Sequence, residues 1–446
     1  MASEEENKSA IECPMSYTLL NENGEQTASG DCKGTIDKEY LTLFPKFGDI
    51  LPVHLRDIDQ VETEDYRIVL SLSSKEKLAL SSLGYCFEDF LRVLTDLRNE
   101  VIIKDLLMNE PVRKPDVNME LTYRDDRGNE RQNIPGKVRL YETGMVIIPY
   151  KAEILRVPYS DILNVSEENL SVKVSTELGE QFLFQKMGSE FDPFLKEFLR
   201  AYNELQSKAV NSLKTLFPTI DSLSLRKIAT IMKEGKAAKR TDIEAINPKL
   251  WQELEKRIAL AGLNESYTYL KELARQQKMA IGFKRGLMGD LTGEYIWFLV
   301  PIYDADEKDF GNAVAMEATE PTGETSSGKA TYFFRIMNRE VYPNSSLEER
   351  DRETDKLVKT INRCMLAINF RREPIYLADE KLDEADYSKY RTAVKKIPLL
   401  QVLRSLYIGR VIHASPDQWK SDVIDLLRFN SKTQDERAKW EKKGIR

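Results

Sequence analysis

Pro135-Gly-Lys-Val-Arg-Leu-Tyr-Glu-Thr-Gly-Met-Val-Ile-Ile-Pro-Tyr150, followed by Ile154-Leu-Arg-Val-Pro-Tyr-Ser-Asp-Ile-Leu-Asn-Val165, alternates apolar and polar residues in short runs broken at Glu142-Thr143-Gly144. Period-two alternation rich in β-branched and aromatic residues marks strands with one buried face, and the glycine supplies a hairpin turn. The same pattern predicts strands at 119–124, 137–141, 145–149, 153–158, 170–175 and 181–185, joined as one antiparallel meander. The period then changes to 3.6, with Phe191, Phe194, Leu195, Phe198, Leu199 and Tyr202 on one stripe. A helix is therefore expected to close the sheet, with Ser189 as N-cap and Pro193 in its first turn.

Setting residue i against i+104 matches this segment to an earlier one without a gap. Identities run from Thr18/Thr122 and Gly24/Gly128 through Pro45/Pro149, Val53/Val157, Asp57/Asp161, Ile58/Ile162, Gly84/Gly188 and Phe90/Phe194 to Glu100/Glu204. Differing pairs keep their class, as in Leu43/Ile147 and Leu80/Phe184, so the apolar pattern is duplicated as well.

The quoted stretch, with Asp57-Ile58 and Asp161-Ile162 in the place of a strand-ending acidic–apolar pair, resembles GRAM and bacterial pleckstrin-homology domains over residues 14–206. The resemblance implies an α+β protein with two tandem β-barrels of that kind, each closed by a C-terminal helix, at 14–108 and 118–206. A helical linker domain is expected at 207–286, a C-terminal α+β domain at 287–430 and a charged tail at 431–446. In the C-terminal domain, strands are predicted at 295–303, 312–319 and 331–337 and helices at 346–369, 385–413 and 416–429.

Domains of this superfold often hold anionic lipid headgroups through basic residues near the first strand loops. The residues in that place are Arg124, Arg127 and Arg131, but Asp125, Asp126 and Glu130 alternate with them, and the first copy's Asn21–Glu25 hairpin is acidic. Neutralised charge is a poor phosphate trap. The superfold also serves as a protein-binding platform, which needs no special residue type.

The most basic run contains Arg226, Lys227, Lys233, Lys236, Lys239 and Arg240 against Glu234 alone. It is the candidate anion or nucleic-acid patch, although it lacks interleaved aromatics on which bases would stack. Elsewhere a net charge of −7 withholds the positive field that general nucleic-acid binding requires.

Signals of catalysis are few. Gly323–Lys329 has P-loop spacing, but Ala330 stands where Ser or Thr would hold magnesium, and a strand rather than a helix follows. Gly282–Gly293 could cradle an anion beside Lys284 and Arg285, though it reads foremost as an interdomain joint. His54 and His413, the two histidines, have no ligand-spaced neighbours, and Asp304/Asp306 and Glu348/Glu349 lie in charge-dense sequence read as solvated surface. No cofactor is implied.

With 446 residues the chain exceeds the roughly 250–300 residues a single core supports. No apolar run approaches the roughly 20 residues that span a bilayer, and the acidic start is unlike a signal peptide. Four cysteines without paired spacing suit reduced thiols in a cytoplasm. The sequence thus favours a cytoplasmic, non-enzymatic binding or scaffold protein whose tandem modules engage protein partners. One alternative is peripheral attachment to anionic lipid; another is an enzyme with its site in 287–430.

Overall fold

The computed structural model describes residues 11–105, 110–150, 154–285, 294–303, 311–318, 329–368, 370–384 and 386–431, and residues 1–108 and 109–446 form two compact units. In the first, seven strands, β1 (Ile11–Leu20), β2 (Gln26–Ile36), β3 (Tyr40–Pro45), β4 (Leu51–His54), β5 (Ile58–Glu64), β6 (Arg67–Leu72) and β7 (Lys77–Ser81), form one antiparallel sheet in the order β4-β3-β2-β1-β7-β6-β5. The expected single meander is thus two, β1–β4 and β5–β7, joined because β1 pairs on both sides. Between β4 and β5 the chain makes a 3-10 turn at Leu55–Asp57, where no ladder forms.

Helix α1 (Phe87–Asp105) closes this gap. Its Phe87, Phe90, Leu94 and Val101 enter the core beside Leu41, Leu43, Ile68 and Leu80. Arg98 donates to the carbonyls of Ile58 and Asp59 at 2.8 and 2.6 Å, satisfying backbone groups at the start of β5. Arg56, in the turn, pairs with the buried Asp105 at 2.5 Å.

The second unit begins with the same arrangement. Strands β8 (Val112–Arg124), β9 (Glu130–Tyr141), β10 (Gly144–Pro149), β11 (Leu155–Pro158), β12 (Ile162–Glu168), β13 (Ser171–Thr176) and β14 (Gln181–Gln185) take the order β11-β10-β9-β8-β14-β13-β12. From β10 onward each strand and turn begins 104 residues after its counterpart. Backbone conformation repeats too: Asp65/Asn169 have φ of 47° and 50°, and Ser82/Lys186 have 60° and 56°. Such left-handed conformations are costly for non-glycine residues, so their recurrence shows that the turns are dictated by the fold. Strand β12 was not anticipated, because as a sheet edge it buries only Ile162 fully, with Val165 half-buried and the rest exposed.

Helix α2 (Phe191–Leu216) follows a 3-10 turn at Gly188–Glu190, so Ser189 lies inside that turn and does not cap the helix; Pro193 does occupy the first helical turn. The helix passes through the expected boundary at 206/207 without a break. Its first half, Phe191 to Leu205, fills the sheet core, while Leu213 and Leu216 belong to the next core.

That next core joins helices α3 (Ser222–Ile231), α4 (Arg240–Ile246), α5 (Pro248–Leu260) and α6 (Asn264–Leu273) to a third sheet. Its strands are β15 (Ala238–Lys239), β16 (Ala280–Arg285), β17 (Glu294–Ile302), β18 (Ala313–Ala318), β19 (Ala330–Arg335) and β20 (Tyr407–Ile412), antiparallel and in sequence order. The expected boundary at 286/287 falls between the paired strands β16 and β17. Helices α7 (Leu347–Ala367), α8 (Glu373–Tyr376), α9 (Ser388–Lys396), α10 (Pro398–Leu406) and α11 (Pro416–Ser431) complete the unit. The expected helix at 385–413 is therefore two helices and a strand. Pro398 starts a new helix, and Tyr407-Ile-Gly-Arg-Val-Ile412 takes the β conformation its branched residues prefer once β19 offers an edge.

A buried charge cluster fixes the second sheet to the rest of this unit. Asp161, 1% exposed at the end of the 3-10 turn Tyr159–Asp161, is 2.9 Å from Lys236 Nζ and 2.7 Å from Arg363 Nε on α7. Lys236 also pairs with Glu177 at 2.9 Å and donates to the Ser160 carbonyl; Arg363 pairs with Glu180 at 2.8 Å. Removing one charge from a buried cluster strands its partners, at a cost of about 3 kcal/mol. All four tryptophans, Trp251, Trp297, Trp419 and Trp440, lie in 109–446, so their fluorescence reports this unit. Asp161→Asn is expected to lower the urea midpoint of that signal by a corresponding amount; an unchanged midpoint would show the cluster to be dispensable.

Candidate functional site

The six cations of the basic run do not share a face. Arg226 and Lys227 are exposed on α3. Lys233 is buried, with Nζ 3.5 Å from the Ile162 carbonyl and over the Tyr202 ring, and Lys236 is consumed by the Asp161 cluster. Lys239 pairs with Asp355 at 3.2 Å, and Arg240 pairs with Glu244 at 2.8 Å while lying over Trp251. Apart from Glu244, four residues from Arg240, the acidic partners are distant in sequence, so a run that reads as one patch is dispersed by folding.

At the β8–β9 hairpin, Arg124 pairs with Glu130 at 2.6 Å, while Arg127 and Arg131 are exposed. Asp125 accepts from the backbone of Arg127 and Asn129, so it builds the turn. The cradle reading of Gly282–Lys284 gives way to a structural one. Gly282 lies in β16, where a Cβ would stand 2.1 Å from Trp297 Nε1, the donor to Gly235 O. Lys284 is buried over the Phe370 ring at 4.9 Å. Residues 286–293, the P-loop-like 323–328, Asp304, Asp306 and the tail 432–446 lie outside the described residues. Glu349 forms a capping box with Ser346 at the start of α7.

The duplicated sheets differ most on their outer faces. In β10, Met145 and Ile147 point into the core, and Val146 and Ile148, on the other face, are buried as well at 0% and 5%. Arg156 on β11 donates to the Ala367 carbonyl at 3.1 Å, which places the end of α7 beside that face. In β3 the inward Leu41 and Leu43 match Met145 and Ile147, but outward Tyr40 and Phe44 are exposed at 39% and 40%. Leu43 pairs with Leu51, which puts Phe44 and Ile50 next to each other across the hairpin. Phe47 at the tip is 93% exposed and Ile50 59%.

The setting of this apolar hairpin is acidic. Residues 1–108 carry 11 Lys and Arg against 21 Asp and Glu, whereas the remainder carries 55 against 52. Of the lysines around the hairpin, Lys33 pairs with Glu12 at 2.6 Å and Lys46 with Asp31 at 3.0 Å, while Lys38, between Asp37 and Glu39, is exposed. Asp37, Glu39 and Asp49 border it; Glu39 and Asp49 are exposed.

Among the described residues, no helix is long and apolar enough to cross a membrane, and no group of three His, Cys, Asp or Glu could hold a metal. His54 ends β4, where its Nδ1 accepts from the Arg56 amide and burial lowers its pKa. No protein-family model and no curated protein matches the chain.

Beside Lys236, Glu234 occupies a left-handed conformation (φ 52°). Burial, and then the nearby Glu110 carboxylate, push its carboxyl up to about 7. Because folding raises this pKa, the folded state holds a proton that the unfolded chain releases near 4.5. Stability contributed here is therefore present below that value and lost as pH rises through about 7. Glu234→Gln is expected to flatten the fall of urea stability between pH 4.5 and 7, followed by tryptophan fluorescence; an unchanged slope would assign that fall to other groups.

Proposed function

We propose that this chain is a non-enzymatic binding or scaffold protein of pleckstrin-homology/GRAM-like architecture, in which the first module engages a protein partner and the second is committed to intramolecular packing. The observation that carries the reading is the difference between equivalent outer faces: Val146 and Ile148 are buried, whereas Tyr40, Phe44, Phe47 and Ile50 are exposed. An exposed aromatic cluster of this size favours association.

Charge selects the kind of partner. An acidic module repels anionic lipid and attracts cations, which argues against the membrane alternative for this face. The fitting occupant is a basic amphipathic segment of another protein, its apolar side on Phe44 and Phe47 and its cations toward Glu39 and Asp49. No pattern in the hairpin requires chemistry of its own.

The test is chemical cross-linking of the full chain in its native cytosol, with wild type compared with a Phe44→Asp/Phe47→Asp variant. A partner cross-linked to residues 40–50 through a Lys/Arg-rich segment, released by about 0.5 M salt and lost from the variant, supports the reading. Equal capture by the variant, cross-links confined elsewhere, or pelleting of the first module's face with phosphatidylserine vesicles would overturn it.

A further inference from the structure

Three of the four cysteines belong to the first module, and two of these lie together. Cys13, on β1, is fully buried in the module's core, and Cys86, half-buried against the same core, ends the 3-10 turn Gly84–Cys86 that leads into α1. Both converge on one backbone oxygen: the Leu83 carbonyl accepts from the Cys86 amide at 3.1 Å and from Cys13 Sγ at 3.8 Å. The thiols are near enough to act on each other, since burial and then the Cys86 thiol push Cys13 up to about 12. Cys32, the third, stands opposite Met15 in the β1–β2 ladder, whereas Cys13 faces Gly34.

The duplicated module has neither thiol of the pair. At the 104-residue shift Cys13 becomes Val117 and Cys86 becomes Glu190, although the turn itself is retained at Gly188–Glu190. The sheet and its closing helix therefore form without sulfur at these two places. We infer that Cys13 and Cys86 are a reversible thiol–disulfide switch, whose oxidised form staples β1 to the start of α1. This inference is independent of the function given above to the apolar hairpin.

The oxidant is a small disulfide of the glutathione class. Cys86, the more exposed thiol, is reached first; its thiolate attacks one sulfur of glutathione disulfide, forming a mixed disulfide and releasing one glutathione thiolate. Cys13 then gives up its proton and attacks the Cys86 sulfur, and the second glutathione leaves. Two cysteine thiols are oxidised, one glutathione disulfide is reduced to two thiols, and both cysteine protons pass to the departing glutathiones. The bond closes a loop that runs through all seven strands of the first sheet, and a loop of that kind restricts the unfolded chain.

The test uses the full-length protein in buffers of graded reduced to oxidised glutathione, with remaining thiols blocked by N-ethylmaleimide. Trypsin releases Cys13 and Cys32 together in residues 9–33 and Cys86 in residues 78–92. Mass spectrometry is expected to find these two peptides joined, with fragmentation of the wild-type product placing the bond at Cys13 without recourse to any variant. Cys32→Ser should leave the joining unchanged. In Cys13→Val, which takes the second copy's side chain, Cys86 should instead accumulate as the glutathione mixed disulfide. Oxidation should slow amide hydrogen exchange in α1 at least about tenfold, and dithiothreitol should restore it. No joined peptide at any glutathione ratio, a bond placed at Cys32, joining that persists in Cys13→Val, or unchanged α1 exchange after oxidation would overturn the switch.

Discussion

The second unit turns on one buried carboxylate. Asp161 lies at the turn that leads from one half of its sheet to the other, out of reach of water, and its charge is balanced by Lys236 from the segment after α3 and Arg363 from α7. Neither cation can be withdrawn without leaving the other charges exposed to a low dielectric. Formation of this sheet is thereby tied to the placement of two segments far along the chain, and α2, running unbroken from one core into the next, adds a covalent tie in the same direction. A module that would be independent by its pattern is built into a larger body.

The first module repeats the same backbone. Strand order, 3-10 turns and left-handed positions correspond at the 104-residue shift. Its turn keeps the aspartate as Asp57 and carries Arg56 where the second has Ser160; Arg56 is paired with Asp105 on the module's own closing helix. The outward residues of β3 are aromatic and uncovered, and the surrounding sequence is acidic. Duplication thus preserved the interior, where a changed volume is destabilising, and left the outer faces to diverge.

Polar chemistry is concentrated elsewhere. Ser266, Glu317, Thr331, His413 and Trp419 come from α6, two adjacent strands and the β20–α11 region, and they form one hydrogen-bonded group. Nothing in their sequence spacing announces it. His413 reads as a helix-end residue until Tyr407–Ile412 is seen as a strand, and it is the pairing of β20 with β19 that brings His413 to Thr331.

The sequence by itself determined the repeat, most strands and both closing helices, because alternation and the 3.6-residue stripe are local consequences of burying one face. It failed where burial is not local. Edge strand β12 buries one side chain fully and gives no clean alternation, and β16 was hidden among glycines, of which Gly282 is there to let Trp297 reach Gly235. Only the tertiary structure decided which outer face is covered, which of six cations remain in solvent, and where Glu317 finds its donors. Those outcomes depend on pairings between residues tens to hundreds of positions apart, and charge or hydrogen-bond complementarity at that range leaves no periodic trace in the chain.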